Sequence, residues 1–248
     1  TFHGFANEVI GRFPSYFPRL VGAINIGEVE RAELLEEIFS KLKLDKLRPY
    51  GDQFYYLAPA RKRISDLKRE NISPGDYLAQ VKGEEKYIKN SDDFLHKKGA
   101  HKGKVKGKYL EALERVARVG EFADVYKQYE KLLEKRRLYD YDDMILEVIA
   151  TLESKAGKDL LIILQEQYQW LLADEHQDAN TAQNKVLELL AAYYKKPNLF
   201  VVGDEKQAIF RFQGASLENF IYFRKKYPEA VQVELGVNYR STQPILDA

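Results

Sequence analysis

The chain has 248 residues, long enough for one large domain or two small ones, a formal charge of +1 and 45% hydrophobic content, which can bury a core. It contains no cysteine, which excludes disulfides and thiolate metal sites and fits a reducing compartment. No apolar run approaches the roughly 20 residues needed to cross a bilayer and no signal-type N-terminus is visible, so a cytoplasmic protein without a membrane partner is expected.

Residues 28–44 place Val29, Ala32, Leu35, Ile38, Phe39 and Leu42 at spacings of three and four, which predicts a helix with one apolar face. Residues 52–69 read as a second helix. Asn71-Ile72-Ser73-Pro74 is a stop and restart, with Ser73 as N-cap and Pro74 in the first turn of a helix running to about Val81. From Lys82 to Lys108 the pattern dissolves into Lys, Gly, Asp and Ser, and a mobile loop is expected. Its last part carries Lys97, Lys98, Lys102, Lys104, Lys106 and Lys108, a set that reads either as solvated surface or as a phosphate-contacting strip.

Helical periodicity returns over 109–137, with a break expected near Gly120, and again over 142–152. Asp140, Asp142 and Asp143 read as a helix N-terminal cap or as a group with a direct functional role. Then the period changes. Residues 170–173, 199–202 and 231–235 are short apolar or β-branched runs, separated by helices expected over 181–195 and 216–227. Strands alternating with helices predict an α/β fold with a parallel sheet.

Leu171-Leu172-Ala173-Asp174-Glu175-His176-Gln177-Asp178 ends an apolar run in two adjacent carboxylates. In a nucleotide-hydrolysing α/β domain the Asp at such a strand end holds Mg²⁺, and the Glu beside it orients or deprotonates a water. The plainer reading is that strands end in acids because loops are solvated. A second apolar run, Leu199 to Val202, closes on Gly203-Asp204 and leads into Glu205-Lys206-Gln207-Ala208-Ile209-Phe210-Arg211-Phe212-Gln213.

Together with Val237-Asn238-Tyr239-Arg240-Ser241-Thr242, these runs resemble, in order and spacing, three successive motifs of the UvrD/Rep-type superfamily 1 DNA helicases. Thr1-Phe2-His3 resembles the family's Thr-x-His motif, and Tyr139-Asp140-Tyr141-Asp142-Asp143 its aromatic-Asp-Asp segment. From about 137 to 248 the similarity is nearly continuous, whereas over 19–136 only helical character agrees. The resemblance implies a P-loop NTPase (RecA-like) motor domain with an incomplete parallel sheet and an all-α inserted domain. Its boundaries would be 1–18 and 137–235 for the first motor domain, 19–136 for the insertion and 236–248 for the start of a second motor domain.

The resemblance also implies roles. Asp174 would take Mg²⁺, Glu175 would activate water, and Gln177 would tie the acidic motif to the rest of an ATP cleft. Gln207 would read the terminal phosphate, and Arg240 would stabilise charge on the transferring phosphoryl group. Thr1, His3, Phe210, Arg211 and Phe212 would meet DNA, His3 at its backbone and Phe212 by base stacking; both phenylalanines also read as core residues. His176 reads as a structural hydrogen-bonding residue. Ala179 and Gln213 depart from the family's usual Thr and Arg.

No Gly-x-x-x-x-Gly-Lys-Ser/Thr loop occurs; Gly103-Lys104-Val105-Lys106-Gly107-Lys108-Tyr109 has the wrong spacing and no hydroxyl after the lysine. The chain is therefore expected to be an internal fragment, with an unsatisfied edge on the Leu199 to Val202 strand. The implied function of the whole protein is ATP-dependent translocation on single-stranded DNA with unwinding at duplex junctions. The alternatives are the motor part of a helicase-nuclease subunit and a non-catalytic DNA-binding module.

Overall fold

The computed structural model describes residues 1–48, 51–98, 101–204 and 217–246. Helix α1 (Phe2–Arg12) opens the chain and leads through a short 3-10 turn to strand β1 (Ile24–Asn25). Four helices follow: α2 (Glu28–Lys41), α3 (Leu57–Arg69), α4 (Pro74–Lys89) and α5 (Gly107–Arg136). Strand β2 (Leu138–Tyr139), helices α6 (Asp143–Glu153) and α7 (Lys158–Gln167), strand β3 (Leu171–Ala173), helix α8 (Thr181–Ala191), strand β4 (Leu199–Val201) and helices α9 (Leu217–Lys226) and α10 (Gln243–Leu246) complete it. The result is an α/β chain, as expected.

Two hydrophobic cores form among the described residues. One gathers Leu35, Ile38 and Phe39 of α2, Ile64 and Leu67 of α3, and Tyr126, Tyr129 and Leu133 of α5. The other gathers Ala6 and Val9 of α1 with Val148 and Ile149 of α6, Leu160 and Leu164 of α7, and Val186 of α8. Between them the chain passes through a parallel pairing of β1 with β2, Ile24 opposite Leu138 and Asn25 opposite Tyr139. The segment between those strands therefore leaves and returns at one place.

Several helices differ from the sequence-based expectation. The second starts at Leu57, not at 52, because the Asp52 carboxylate accepts the Phe54 N–H at 2.8 Å and folds those residues into a turn. Ser73 caps α4 as expected, its Oγ accepting the Asp76 N–H at 3.1 Å. That helix does not stop at Val81: it runs to Lys89, because Ile88 continues the buried stripe of Tyr77 and Val81 while the lysines and glutamates face water. Val29 of α2, expected in the core, is exposed, and Leu34 takes the buried place.

The expected loop after α4 is built around an acidic anchor. Leu95 and Val105 form an antiparallel bridge, and the His96 N–H reaches the Lys104 carbonyl at 2.9 Å. Asp93 accepts from Lys106 at 3.1 Å, from Lys108 at 2.8 Å and from the Tyr109 hydroxyl. No break occurs at Gly120. Helix α5 is continuous for 30 residues, since a glycine in mid-helix costs only about 1 kcal/mol and the flanking Val116, Phe122 and Ala123 are buried.

Helix α6 is joined to α7 by a turn that only glycine closes: a Cβ on Gly157 would lie 1.9 Å from the Thr151 carbonyl oxygen. Gly157→Ala is therefore expected to destabilise the fold by about 1–3 kcal/mol through forced displacement of that turn. A melting temperature equal to the parent's would refute the clash.

Strands β3 and β4 pair in parallel, Leu171 with Leu199, Leu172 with Phe200 and Ala173 with Val201. Residues 231–235, expected as a third strand, form none. Val231, Val233 and Leu235 stand in water, because this extended segment has no partner strand among the described residues and a strand is stable only within a ladder. On β3 and β4 themselves, Leu172 is 75% and Phe200 59% exposed, so one face of the pair lacks a cover among the described residues. No helix among the described residues is long and apolar enough to cross a membrane.

Candidate functional site

The acidic pair stands where β3 ends. Hydrogen bonds from the Val202 N–H to the Ala173 carbonyl (2.8 Å) and from the His176 N–H to the Val202 carbonyl (2.9 Å) carry the pairing of the two strands one step past β4. The chain then turns sharply. Glu175 adopts a left-handed backbone, φ 51° and ψ 42°, which is uncommon for a residue with a side chain and concentrates at functional turns. Its N–H is held by the Asp174 carboxylate at 2.9 Å, and both side chains are exposed.

Gln177, almost fully buried, joins the two strand ends. Its Nε2 donates to the Glu175 carboxylate at 2.5 Å, while its Oε1 accepts the Asp204 N–H at 3.0 Å. One amide thus uses its donor on the acidic motif and its acceptor on the loop that leaves β4. The Glu175 carboxylate therefore has a fixed direction. His176 points the other way, into the interior, with Nε2 2.9 Å from Asn184 Oδ1. Burial holds the imidazole below its ordinary range, so it is a neutral structural residue.

The other expected site residues that the structure describes lie apart from this cluster. Arg240 is exposed in a turn where the Asn238 side chain accepts the N–H groups of Arg240 (2.8 Å) and Ser241 (3.0 Å), and its guanidinium makes no ion pair with Asp174 or Glu175. Gln207, Phe210, Arg211, Phe212 and Gln213 lie outside the described residues. Thr1 caps α1, its Oγ1 accepting the Gly4 N–H at 3.1 Å. The His3 ring stacks on Tyr141 with centroids 3.7 Å apart and planes 13° from parallel, and its Nε2 is buried without a hydrogen-bond partner. Burial holds this imidazole low as well, against the raising effect of Asp142.

The sequence hid the largest electrostatic feature. Lys68, on the helix expected over 52–69, is wholly buried and lies 2.7 Å from Asp140, 2.7 Å from Asp143 and 2.8 Å from Glu130. Asp140 also accepts from the Tyr129 hydroxyl at 2.9 Å and faces Arg31 at 3.8 Å, while Arg19 reaches Asp143 at 3.6 Å and Glu147 at 3.2 Å. Burial works against the charge on Lys68, but the three carboxylates outweigh it and hold the ammonium well above its ordinary value. Capping of α6 is done by Asp140 and Asp143, each accepting the other's N–H; Asp142, expected to share it, makes no side-chain cap. The legible signal was the pair of acids; their partner, a lone lysine 72 residues earlier, carried none.

Among the described residues no group of three or more His, Asp or Glu side chains is placed to cage a metal ion. The exposed Asp174 and Glu175 oxygens nonetheless suit Mg²⁺, which takes one or two carboxylates and completes its shell with water and phosphate oxygens.

Known proteins give the same direction. Residues 1–228 match the model of the UvrD/REP helicase N-terminal domain. The chain is similar to an ATP-dependent DNA helicase PcrA of Leuconostoc citreum, 44% identical over 126 residues that cover 51% of this chain and 16% of the relative. It is also similar to proteins of the same name from Staphylococcus aureus (strain NCTC 8325 / PS 47) and Staphylococcus epidermidis, each 40% identical over 51% of this chain and 17% of the relative. The chain thus matches about a sixth of the length of these relatives. With the family model matched over 228 residues and the acidic strand end in place, the chain belongs to the UvrD/REP helicase family.

Proposed function

We propose that this chain supplies the metal- and water-handling part of an ATP-driven motor that moves along single-stranded DNA and opens duplex at a junction. The observation that carries this reading is the Gln177 amide, which fixes the Glu175 carboxylate against the loop following β4. In this reading Asp174 holds Mg²⁺, Glu175 takes a proton from the attacking water, and Gln177 keeps the two strand ends in register. When bound, Mg²⁺ neutralises charge on the phosphoryl oxygens of ATP. Arg240 comes to the cleft from the second motor domain, Gln207 senses the terminal phosphate, and Phe210, Arg211 and Phe212 meet DNA. Residues 19–136 are an inserted helical domain with its own core; 1–18 and 137–235 form the first motor domain, and 236–248 begin the second.

The test compares ATP hydrolysis by the full-length protein with that by these 248 residues, with and without single-stranded DNA. The full-length protein is expected to hydrolyse ATP and to be stimulated by DNA. The 248 residues are expected to be inactive, because they contain no phosphate-cradling loop. DNA-stimulated turnover by the 248-residue chain, abolished by Glu175→Ala, would overturn the assignment.

The lysine segment after α4 belongs to the same reading, as a binding strip for duplex phosphates ahead of the motor. Lys106 and Lys108 are held on Asp93, so Lys97, Lys98, Lys102 and Lys104 are the candidates. Replacing these four with Gln in the full-length protein is expected to flatten the plot of log affinity for a tailed duplex against log salt, by about 0.9 in slope for each phosphate that is no longer neutralised. An unchanged slope returns the segment to solvated surface.

A further inference from the structure

The segment between α4 and α5 is pinned at its backbone in a way that brings two histidines together. Leu95 and Val105 form the antiparallel bridge at its base. The His96 N–H donates to the Lys104 carbonyl and the His96 carbonyl accepts the Gly103 N–H, both at 2.9 Å. The His101 carbonyl accepts the Lys104 N–H at 2.9 Å and closes a turn whose third residue, Gly103, has a φ of +81°. Glycine takes that left-handed backbone without steric cost, so the turn is set by its own sequence. Both histidines are thus tied by backbone hydrogen bonds to the same two residues, Gly103 and Lys104.

The His96 and His101 rings lie with centroids 5.7 Å apart and planes 45° from each other. His101 is exposed and His96 half-buried, and among the described residues neither ring makes a hydrogen bond or an ion pair. Two imidazoles that share one metal ion, each with a nitrogen about 2 Å from it, have ring centres roughly 5–6 Å apart. The observed separation falls in that range, and the soft Cβ–Cγ torsion of histidine lets a nitrogen of each ring turn toward the space between them. Lys97, Lys98, Lys102 and Lys104 stand exposed on the same segment, while Asp93 is taken up by Lys106, Lys108 and Tyr109. Such surroundings disfavour Mg²⁺ and Ca²⁺, which seek oxygen ligands, and leave ions that bond strongly to imidazole nitrogen. We propose that His96 and His101 form a two-imidazole site for a divalent ion of the Zn²⁺ class, with water completing its shell, and that the bound ion staples the segment that presents the lysines. The site is separate from the acidic strand end and does not depend on the reading of the chain as part of a DNA motor.

The experiment titrates Zn²⁺ into the full-length protein, without nucleotide or DNA, against a chromophoric indicator, and follows hydrogen exchange at the His96, Gly103 and Lys104 N–H groups. The parent is expected to take up one equivalent that neither His96→Gln nor His101→Gln retains, since glutamine keeps a polar side chain but gives up the imidazole. Losing one of two linked ligands should weaken that equivalent by at least about 10²-fold. Zn²⁺ should slow exchange at the three N–H groups of the parent by about 10-fold or more and leave it unaltered in both variants, because an ion that bonds only the closed segment stabilises it. Equal uptake by parent and variants, or uptake without slower exchange, overturns the staple. Replacing Lys97, Lys98, Lys102 and Lys104 with Gln keeps both imidazoles and should keep the Zn²⁺ equivalent, so the phosphate strip and the metal site are judged separately. A lost equivalent in that variant would place the ion elsewhere and overturn the site as well.

Discussion

Glu175→Gln in the full-length protein is expected to lower ATP turnover by about 10²- to 10⁴-fold while leaving nucleotide binding largely intact, the range that general-base catalysis contributes. The substitution is nearly isosteric, and an oxygen remains to accept the Gln177 Nε2 that now reaches the carboxylate at 2.5 Å. What the amide cannot do is take a proton from water. The left-handed backbone at residue 175 costs the same in both proteins, so folding should be unchanged. Single-turnover rates with DNA present, beside a nucleotide-binding titration, check this. Parent-like turnover would remove Glu175 from the proton-transfer role, and a parallel loss of nucleotide affinity would mean that it acts in binding.

Lys68→Met is expected to destabilise the folded chain by about 3–5 kcal/mol, which lowers the melting temperature by roughly 10 °C. Three cations, Lys68, Arg19 and Arg31, face four carboxylates, Asp140, Asp143, Glu130 and Glu147, in this cluster. Removing the one wholly buried cation leaves Asp140 and Asp143 inside the protein without their closest counter-charge. Adding Asp140→Asn and Asp143→Asn to Lys68→Met should recover much of the loss, since each Asn oxygen can still accept the other's N–H and Glu130, the one acid left without Lys68, still faces Arg19 at 3.7 Å. Urea midpoints for the parent, the single and the triple variant test this. A single variant within 1 kcal/mol of the parent, as for an exposed pair, would show the cluster to be energetically idle.

The cluster also sets a pH dependence whose sign can be worked out. Burial pushes the Glu130 carboxyl up to about 7, against the lowering effect of Lys68. A carboxyl raised on folding keeps its proton in the folded state where the unfolded chain has already released it. Between its ordinary value of 4.5 and about 7, this group's contribution to stability therefore falls as pH rises. Asp140 acts in the opposite sense. Burial opposes its charge, but Lys68 and Arg31 outweigh that and hold its carboxyl low, so its contribution is present above the ordinary carboxylate range and is lost as pH falls through its folded value. In Lys68→Met the orphaned acids should titrate upward. The gap in stability to the parent is then largest above pH 7 and narrows on acidification; a gap independent of pH would contradict this.

Local patterns in the chain were enough for the parts whose cause is local. Ser73-Pro74 starts a helix because a hydroxyl and a ring meet the needs of its first turn wherever the chain lies. Leu171 to Glu175 and Leu199 to Asp204 read as strands closing on acids because an apolar run ending in charge must pass from interior to water, and β3 and β4 do so side by side. Failures came where packing overrides pattern. Lys82 to Lys89 looked like loop because its polar and small residues hide one stripe position, Ile88. Val231 to Leu235 has the alternation of a strand, yet alternation specifies a face and supplies no neighbour to pair with.

The hydrophobic period by itself determined the α/β class and the motifs determined the family, because both follow from residue type and order along the chain; the residues proposed for metal, water and phosphate are what the resemblance to that family implies. Only the tertiary structure decided that Gln177 spans two strand ends, that His3 faces Tyr141 and not solvent, and that Lys68 is buried among three acids. These pairings join segments up to 138 residues apart, and His3 meeting Tyr141 is the longest of them. A lysine's burial is not written in its neighbours along the chain: it depends on whether enough negative charge converges in space to offset the loss of water, and that is set by how the helices pack.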